Sequence, residues 1–331
     1  MSDKRKHGGG ERQFYSASLE MEQELGPLKN LPGTWRAKGT GWNMIALPFK
    51  DAPEGTAPYR ILMNQYDETL SFAFVDDNVP NRGVLVDQRV ATIDYQQQIA
   101  QIAADDFPVS GEAGGPGLPI HHEPGLFIWV KDHRTDGIDI ARLASIPHGN
   151  SVLALGDARR HRGAPEIPPI NALPLGRFED LTTPGYDVFD DDYLDPYEHY
   201  INNPFFGTVP ASVAGFPGFN PRDMTEILRF ANQGVNIKRT TELVLDTKRE
   251  GAGVQNMPFT EKEAEPVSMK STFWIQELNE RAHKSKYPKL RLQYAQVVML
   301  NFFRPREDGF PGRAQWPHIS IATLEKEDYP E

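Results

Sequence analysis

The chain has 331 residues, 39% of them apolar, with 28 glycines and 28 prolines. That is enough to bury a sizeable core in one large domain or two small ones, with Gly and Pro above their usual combined share of about 12%, so long loops are expected. The net charge of −11 opposes non-specific nucleic-acid binding and a polybasic membrane surface; the lack of cysteine excludes disulfides and thiolate sites and fits a reducing cytoplasm.

Residues 1–13 read as a disordered, charged tail with no apolar run behind it, so no signal peptide is expected. No run of ~18 apolar residues occurs, so no membrane-spanning helix is expected. "SASLEMEQELG" reads as a short helix with Ser16 as N-cap and Gly26 as its stop. From Gly33 the pattern changes to short segments rich in β-branched and aromatic residues: "TWRAKGTGWNMIAL", "YRILMNQYDETLSFAFV", "RVATIDYQQQIAQIA", "GLFIWVKD", "DIARLASIP" and "NSVLALG". Turn signals accompany them at Asp67-Glu68, Asp136-Gly137 and His148-Gly149-Asn150, the pattern of an antiparallel meander.

The pattern breaks near Asp157. A proline-rich loop and an acidic, aromatic stretch follow, then "NPRDMTEILRFANQG", which reads as a helix capped by Asn220 with Pro221 at its first position. Strands resume with "NIKRTTELVLDTK", "PVSMKSTFWIQEL", "LRLQYAQVVMLNFF" and "HISIATLEK". The expected organisation is a tail and short helix over 1–26, one barrel domain over 27–326 interrupted by a loop and helix insertion at 158–235, and a tail at 327–331.

Roughly ten strands in one sheet leave two unpaired edges unless the sheet splits or closes, so the fold class is mainly β, a closed antiparallel barrel. Closure also explains "GTWRAKGTGW": Gly33, Gly39 and Gly41 mark a bend or a close backbone approach in the first strand, and Trp35 plugs the narrow end. From Tyr294 to Phe303 both strand faces are apolar, so the barrel is covered outside as well as filled inside. The insertion is expected to pack there or to cap the mouth.

The last strand carries the candidate site. In "AQWPHISIATLEK" an inward His318 brings Ser320, Ala322 and Leu324 inward with it, and the small residues leave room beside the imidazole. Ile319 and Ile321 then face out. An imidazole in an apolar cavity needs a partner for its second nitrogen: a hydrogen bond, or a metal such as haem iron.

"LPGTWRAKGTGW" and "PHISIATLEK", with "HEPGLFIWV" and "IARLASIPHGNSVLALG" between them, resemble the signatures of the nitrobindin-type haem-binding proteins. These are calycin-like ten-stranded barrels. The resemblance covers roughly residues 27–157 and 236–326. It implies haem b as cofactor and His318 as the iron ligand; Trp316, Trp35, Ser320 and Ala322 are the further candidates for the cofactor-binding wall. It departs after Gly41, where Trp42, Asn43 and Met44 replace the family's distal segment, so no distal residue carries over.

On such a haem, a base and a cation would be needed for a peroxidase-like or peroxynitrite isomerase-like reaction with a small oxidant. His148, in a turn over the mouth, is the first candidate base and Arg142 the candidate cation; His121 and His122 follow. The acidic run Asp190, Asp191, Asp192 with Asp195, Glu198 and His199 lacks the spacing of a calcium loop. "GEAGGPG" reads as a loop. No serine-hydrolase, zincin or P-loop motif is present. Two other readings stand beside haem. One is a lipocalin-like carrier of an apolar small molecule without catalysis. The other is a side-chain-filled barrel whose aromatic insertion binds protein and gives a homo-oligomer.

Overall fold

The computed structural model describes residues 24–82, 84, 87–131, 138–175, 192–305 and 311–329. The Ser16 cap, the Asp136-Gly137 turn and Asp190 and Asp191 lie outside these residues. At Gly26 the chain forms a single 3-10 turn, Gly26–Leu28.

Among the described residues eleven strands follow: β1 Gly33–Pro48, β2 Tyr59–Asn81, β3 Gln88–Phe107, β4 Pro119–Val130, β5 Ile140–Ile146, β6 Asn150–Arg162, β7 Ile237–Asp246, β8 Gly253–Asn256, β9 Glu265–Arg281, β10 Pro288–Pro305 and β11 Arg313–Lys326. All pairings are antiparallel, and ten strands close a barrel when β1 pairs with β11 and β6 with β7. The edge of β6 is shared: Leu155–Arg162 pairs with β7, while Asn150–Leu153 pairs with β8. Closure removes the open edges that a sheet of this size would otherwise present. The architecture is compatible with a calycin-like fold. Among the described residues no helix is long and apolar enough to cross a membrane.

The bend in β1 is a bulge. Its register slips against both neighbours between Ala37 and Gly41. Gly39 sits there at φ +67°, a conformation that glycine adopts at little cost. Its N–H donates to Asp67 Oδ1 at 2.6 Å and its carbonyl accepts from Gln65 Nε2 at 2.7 Å. Asp67-Glu68 is therefore not a turn. It lies inside β2, opposite the bulge, and Glu68 points into the barrel.

Two buried clusters divide the molecule. The first fills the closed end of the barrel: Trp35, Tyr66, Phe72, Tyr95, Phe127, Phe273, Tyr294, Ala322 and Leu324, under a plug of Leu25, Leu28 and Leu31. Trp35 Nε1 donates to the Leu31 carbonyl at 2.8 Å. The second lies outside the barrel wall, where Trp42, Met44, Tyr59, Ile61, Ile319 and Ile321 meet Tyr193, Tyr197, Phe219, Met224 and Leu228 of the segment between β6 and β7. The insertion thus covers the outer face of the wall, as the two-sided apolar pattern of β10 requires.

Among the described residues there are three short α-helices: α1 Asp195–Asn202, α2 Glu226–Ala231 and α3 Thr260–Glu263. The helix expected from Asn220 starts later, at Glu226. Residues before it are tied elsewhere: the Pro221 carbonyl accepts from Ala172 N–H, and Met224 N–H donates to the Ile170 carbonyl, both at 2.8 Å. The Asn220 side chain caps a turn instead, accepting from Arg222 N–H at 2.9 Å. In α1 the acidic, aromatic sequence hides a helix whose Tyr197 and Tyr200 are buried, while the ring of His199 stacks on Phe107 at 3.9 Å.

Candidate functional site

The open half of the barrel holds a cavity of about 440 Å³, within the range of about 300–1,000 Å³ usual for small-molecule sites. Alternation along the strands builds its wall. Asn43, Ile45 and Leu47 come from β1, Leu62 and Asn64 from β2, Gln97, Ile99 and Gln101 from β3. Strands β10 and β11 add Tyr294, Gln296 and Val298, and His318 and Ser320. The glycine-rich loop between β3 and β4 folds over one side, placing Glu112, Ala113 and Leu118 on the wall. It is held there by Gln101 Nε2, which donates to the carbonyls of Ala113 and Gly115 at 3.1 and 3.2 Å.

Three histidines from different parts of the barrel converge on this space: His121 of β4, His148 of the β5–β6 turn and His318 of β11. The turn is fixed by Met257 N–H donating to the Gly149 carbonyl at 2.8 Å. The rings of His121 and His148 lie 5.8 Å apart. His122 points to solvent.

His318 Nε2 lies 2.9 Å from Asn43 Nδ2. An amide nitrogen only donates, so Nε2 carries its lone pair in this arrangement. Burial, and then the charges of His121 and His148, push the His318 imidazole down to about 3, so it is neutral across the physiological range. Burial and the His121 charge push His148 down as well. Asn43 Oδ1, on the wall of the cavity, is buried without a hydrogen-bond partner among the described residues.

Beneath the floor lie two polar clusters. In the first, Arg142 Nη2 donates to Glu123 Oε1 at 2.6 Å, Nε to Tyr95 Oη at 2.9 Å and Nη1 to Gln296 Oε1 at 2.7 Å. Tyr95 also bonds to Glu123, and Glu123 Oε2 accepts from His121 Nε2 at 3.2 Å. Burial alone would raise the Glu123 carboxyl, but the Arg142 guanidinium outweighs it and holds the group down at about 2. In the second, Tyr294 Oη donates to Glu68 Oε2 and Gln97 Nε2 to Glu68 Oε1, each at 2.7 Å, and Tyr66 Oη stands 2.9 Å from Tyr294 Oη. Here burial wins: the Glu68 carboxyl is pushed up to about 7. Gln97, Tyr294 and Gln296 line both the cavity and a small void of about 10 Å³ below it that Arg142 also lines. They are the floor.

The candidates from the sequence therefore divide. His318, Ser320, His148 and His121 share the cavity. Arg142 does not line it; its charge is committed to Glu123, and it reaches the cavity through Gln296 and, by way of Glu123, through His121. Trp35 belongs to the plug at the closed end and Ala322 to the core below the floor. Trp316 packs outside, 4.8 Å from the Phe302 ring and 4.7 Å from the Tyr59 ring. Asp190 and Asp191 of the acidic run lie outside the described residues, and among the described residues no three His, Cys, Asp or Glu gather as metal ligands.

The sequence reading missed Asn43, Glu68, Gln97, Glu123, Tyr294 and Gln296. A signal existed for two of them: Glu123 is two residues from His121, and Glu68 two from Tyr66 and Leu70, so each is a carboxylate on the inward face of a strand.

No protein-family model matches the chain, and no curated protein matches it.

Proposed function

We propose that the barrel binds haem or a comparably large apolar ligand in this cavity, with His318 as the ligand to the iron. The observation that carries the reading is a neutral imidazole on the wall of a wide, largely apolar space, its Nε2 lone pair engaged, among the described residues, only by the Asn43 amide. The residues fit the group. The walls from Ile45, Leu47, Ile99, Ile146, Val254 and Met269 are apolar, and burial has already made the imidazole the unprotonated form that metals bind. The likeness of the first and last strands to the nitrobindin-type signatures points the same way. Bound ferric haem would supply the redox chemistry towards a small oxidant; the protein would supply His318 on one side and His148 and His121 elsewhere on the wall.

The test is an absorption spectrum from 350 to 700 nm with and without hemin, on the wild type and His318→Ala. A sharp Soret band that is lost or displaced in the variant supports ligation. An unchanged spectrum in the variant refutes it.

A second reading, a carrier of an apolar molecule without iron, is favoured by one observation. Among the described lining residues there is no Lys or Arg to meet the carboxylates of a haem. Mass spectrometry of solvent extracts from the purified protein distinguishes the two.

A further inference from the structure

The two carboxylates under the floor are driven in opposite directions, Glu123 down and Glu68 up, inside one barrel. Opposed environments of this kind mark an acid and a base. Each carboxylate backs a different cavity residue: Glu123 holds His121, and Glu68 holds Tyr294. Both His121 and Tyr294 line the cavity.

Geometry gives each a role. Glu123 is itself pinned by Arg142 and Tyr95, so its bond fixes the His121 ring with Nε2–H directed at the carboxylate. That leaves Nδ1 with the lone pair, and among the described residues it makes no hydrogen bond. Glu68, when protonated, can donate to Tyr294 Oη, which releases the tyrosine hydrogen. Tyr66 does not hold that hydrogen by necessity, since its own hydroxyl donates to the Ile321 carbonyl at 3.1 Å.

We propose that the cavity is an acid–base site for an apolar ligand bearing an enolisable carbonyl, with His121 as proton acceptor and Tyr294 as donor to the carbonyl oxygen. The bond that breaks is the C–H beside the carbonyl. Its proton goes to His121 Nδ1, its electron pair forms the C=C of the enolate, and the carbonyl π pair moves onto oxygen against the Tyr294 hydroxyl. Return of the proton to the same carbon exchanges or racemises that centre; return two carbons along a β,γ-unsaturated ketone gives the conjugated isomer. No oxidant, reductant or co-reactant is needed. The step uses the same cavity as the haem reading but not the iron, and the two fail separately.

The experiment uses the full chain without added hemin. The probes are 2-tetralone, whose α-proton exchange in D2O is followed by NMR, and 2-naphthol, which copies the shape of its enol and is followed by fluorescence. The wild type is expected to exchange 2-tetralone faster than buffer. A positioned general base contributes about 10²–10⁴-fold, so His121→Ala and His121→Gln should lose about a hundredfold while still binding 2-naphthol. Tyr294→Phe should bind 2-naphthol about tenfold more weakly and exchange more slowly. Glu68→Gln tests positioning through the pH profile. Glu68 faces Tyr66 on its own strand, Gln97 of β3 and Tyr294 of β10, with the charges of His121 and Arg142 nearby. Wild-type 2-naphthol binding should weaken above pH 7, as the ionised carboxylate recaptures the tyrosine hydrogen, and binding by Glu68→Gln should stay flat. Exchange no faster than buffer overturns the proposal, as do rates unchanged in both the His121 and the Tyr294 variants. Neither result touches the hemin spectrum.

Discussion

The ring of Tyr66 occupies the space that a side chain on Gly41 would need: a Cβ there would stand 2.0 Å from the Tyr66 ring. The glycine in the first strand and the hydrogen-bonded floor of the cavity are thus one arrangement. Tyr66 can reach Tyr294 only because residue 41 has no side chain.

Gly41→Ala is therefore expected to displace the Tyr66 ring into a filled core. Overpacking of this kind costs about 1–3 kcal/mol. Urea unfolding should report that loss. Gly253→Ala, where a Cβ meets nothing within 4 Å, serves as the control with little change.

Trp316 separates the covering of the barrel from its contents. It is fully buried among Tyr59, Tyr193, Tyr197 and Phe302 outside the wall. Trp316→Ala should cost about 3–5 kcal/mol, the range for large aromatic truncations. Because Trp316 does not line the cavity, the affinity for any cavity ligand at temperatures well below the melt should be nearly unchanged. A large loss of affinity in the folded variant would contradict this placement.

Glu123→Gln leaves the buried Arg142 guanidinium without its ion partner, which costs about 3–5 kcal/mol in comparable pairs. The sign of its pH dependence follows from the depressed carboxyl. Its stabilisation is present above the unfolded value of 4.5 and is lost as pH falls through about 2. Unfolding midpoints of wild type and variant, measured at pH 6, 4 and 2.5, should converge towards the acid end.

Glu68 has the opposite sign. Its folded value of about 7 lies above the unfolded 4.5, so its contribution is fully present below pH 4.5 and is lost as pH rises through 7. Glu68→Gln should gain on the wild type between pH 5 and pH 8, by up to about 3 kcal/mol at the conversion of 1.36 kcal/mol per pKa unit. Parallel melts across that interval decide it. A constant difference would mean that Glu68 ionises in the folded protein as it does in the unfolded chain.

Strand periodicity determined much of this protein by itself. The β-rich segments on either side of the insertion, the closure they demand, the inward face of His318, Ser320, Ala322 and Leu324, and the need for an outer cover over Ile319 and Ile321 all follow from a period of two and from the cost of bare edges. Helix bounds in the insertion did not, because the backbone groups before Glu226 are bound by Ile170 and Ala172, far away in sequence. Nor did the site. Alternation says that His121, Glu123, Arg142, Tyr294 and His318 point inward, but not how high in the barrel each stands. That height is set by strand register and by the β1 bulge, which only the closed barrel specifies. It places Arg142 below the floor against Glu123, brings His121, His148 and His318 to one cavity, and leaves Glu68 buried without a cation of its own. The carboxylates diverge for that reason: the chain supplies two identical groups, and the tertiary structure gives only one of them a guanidinium.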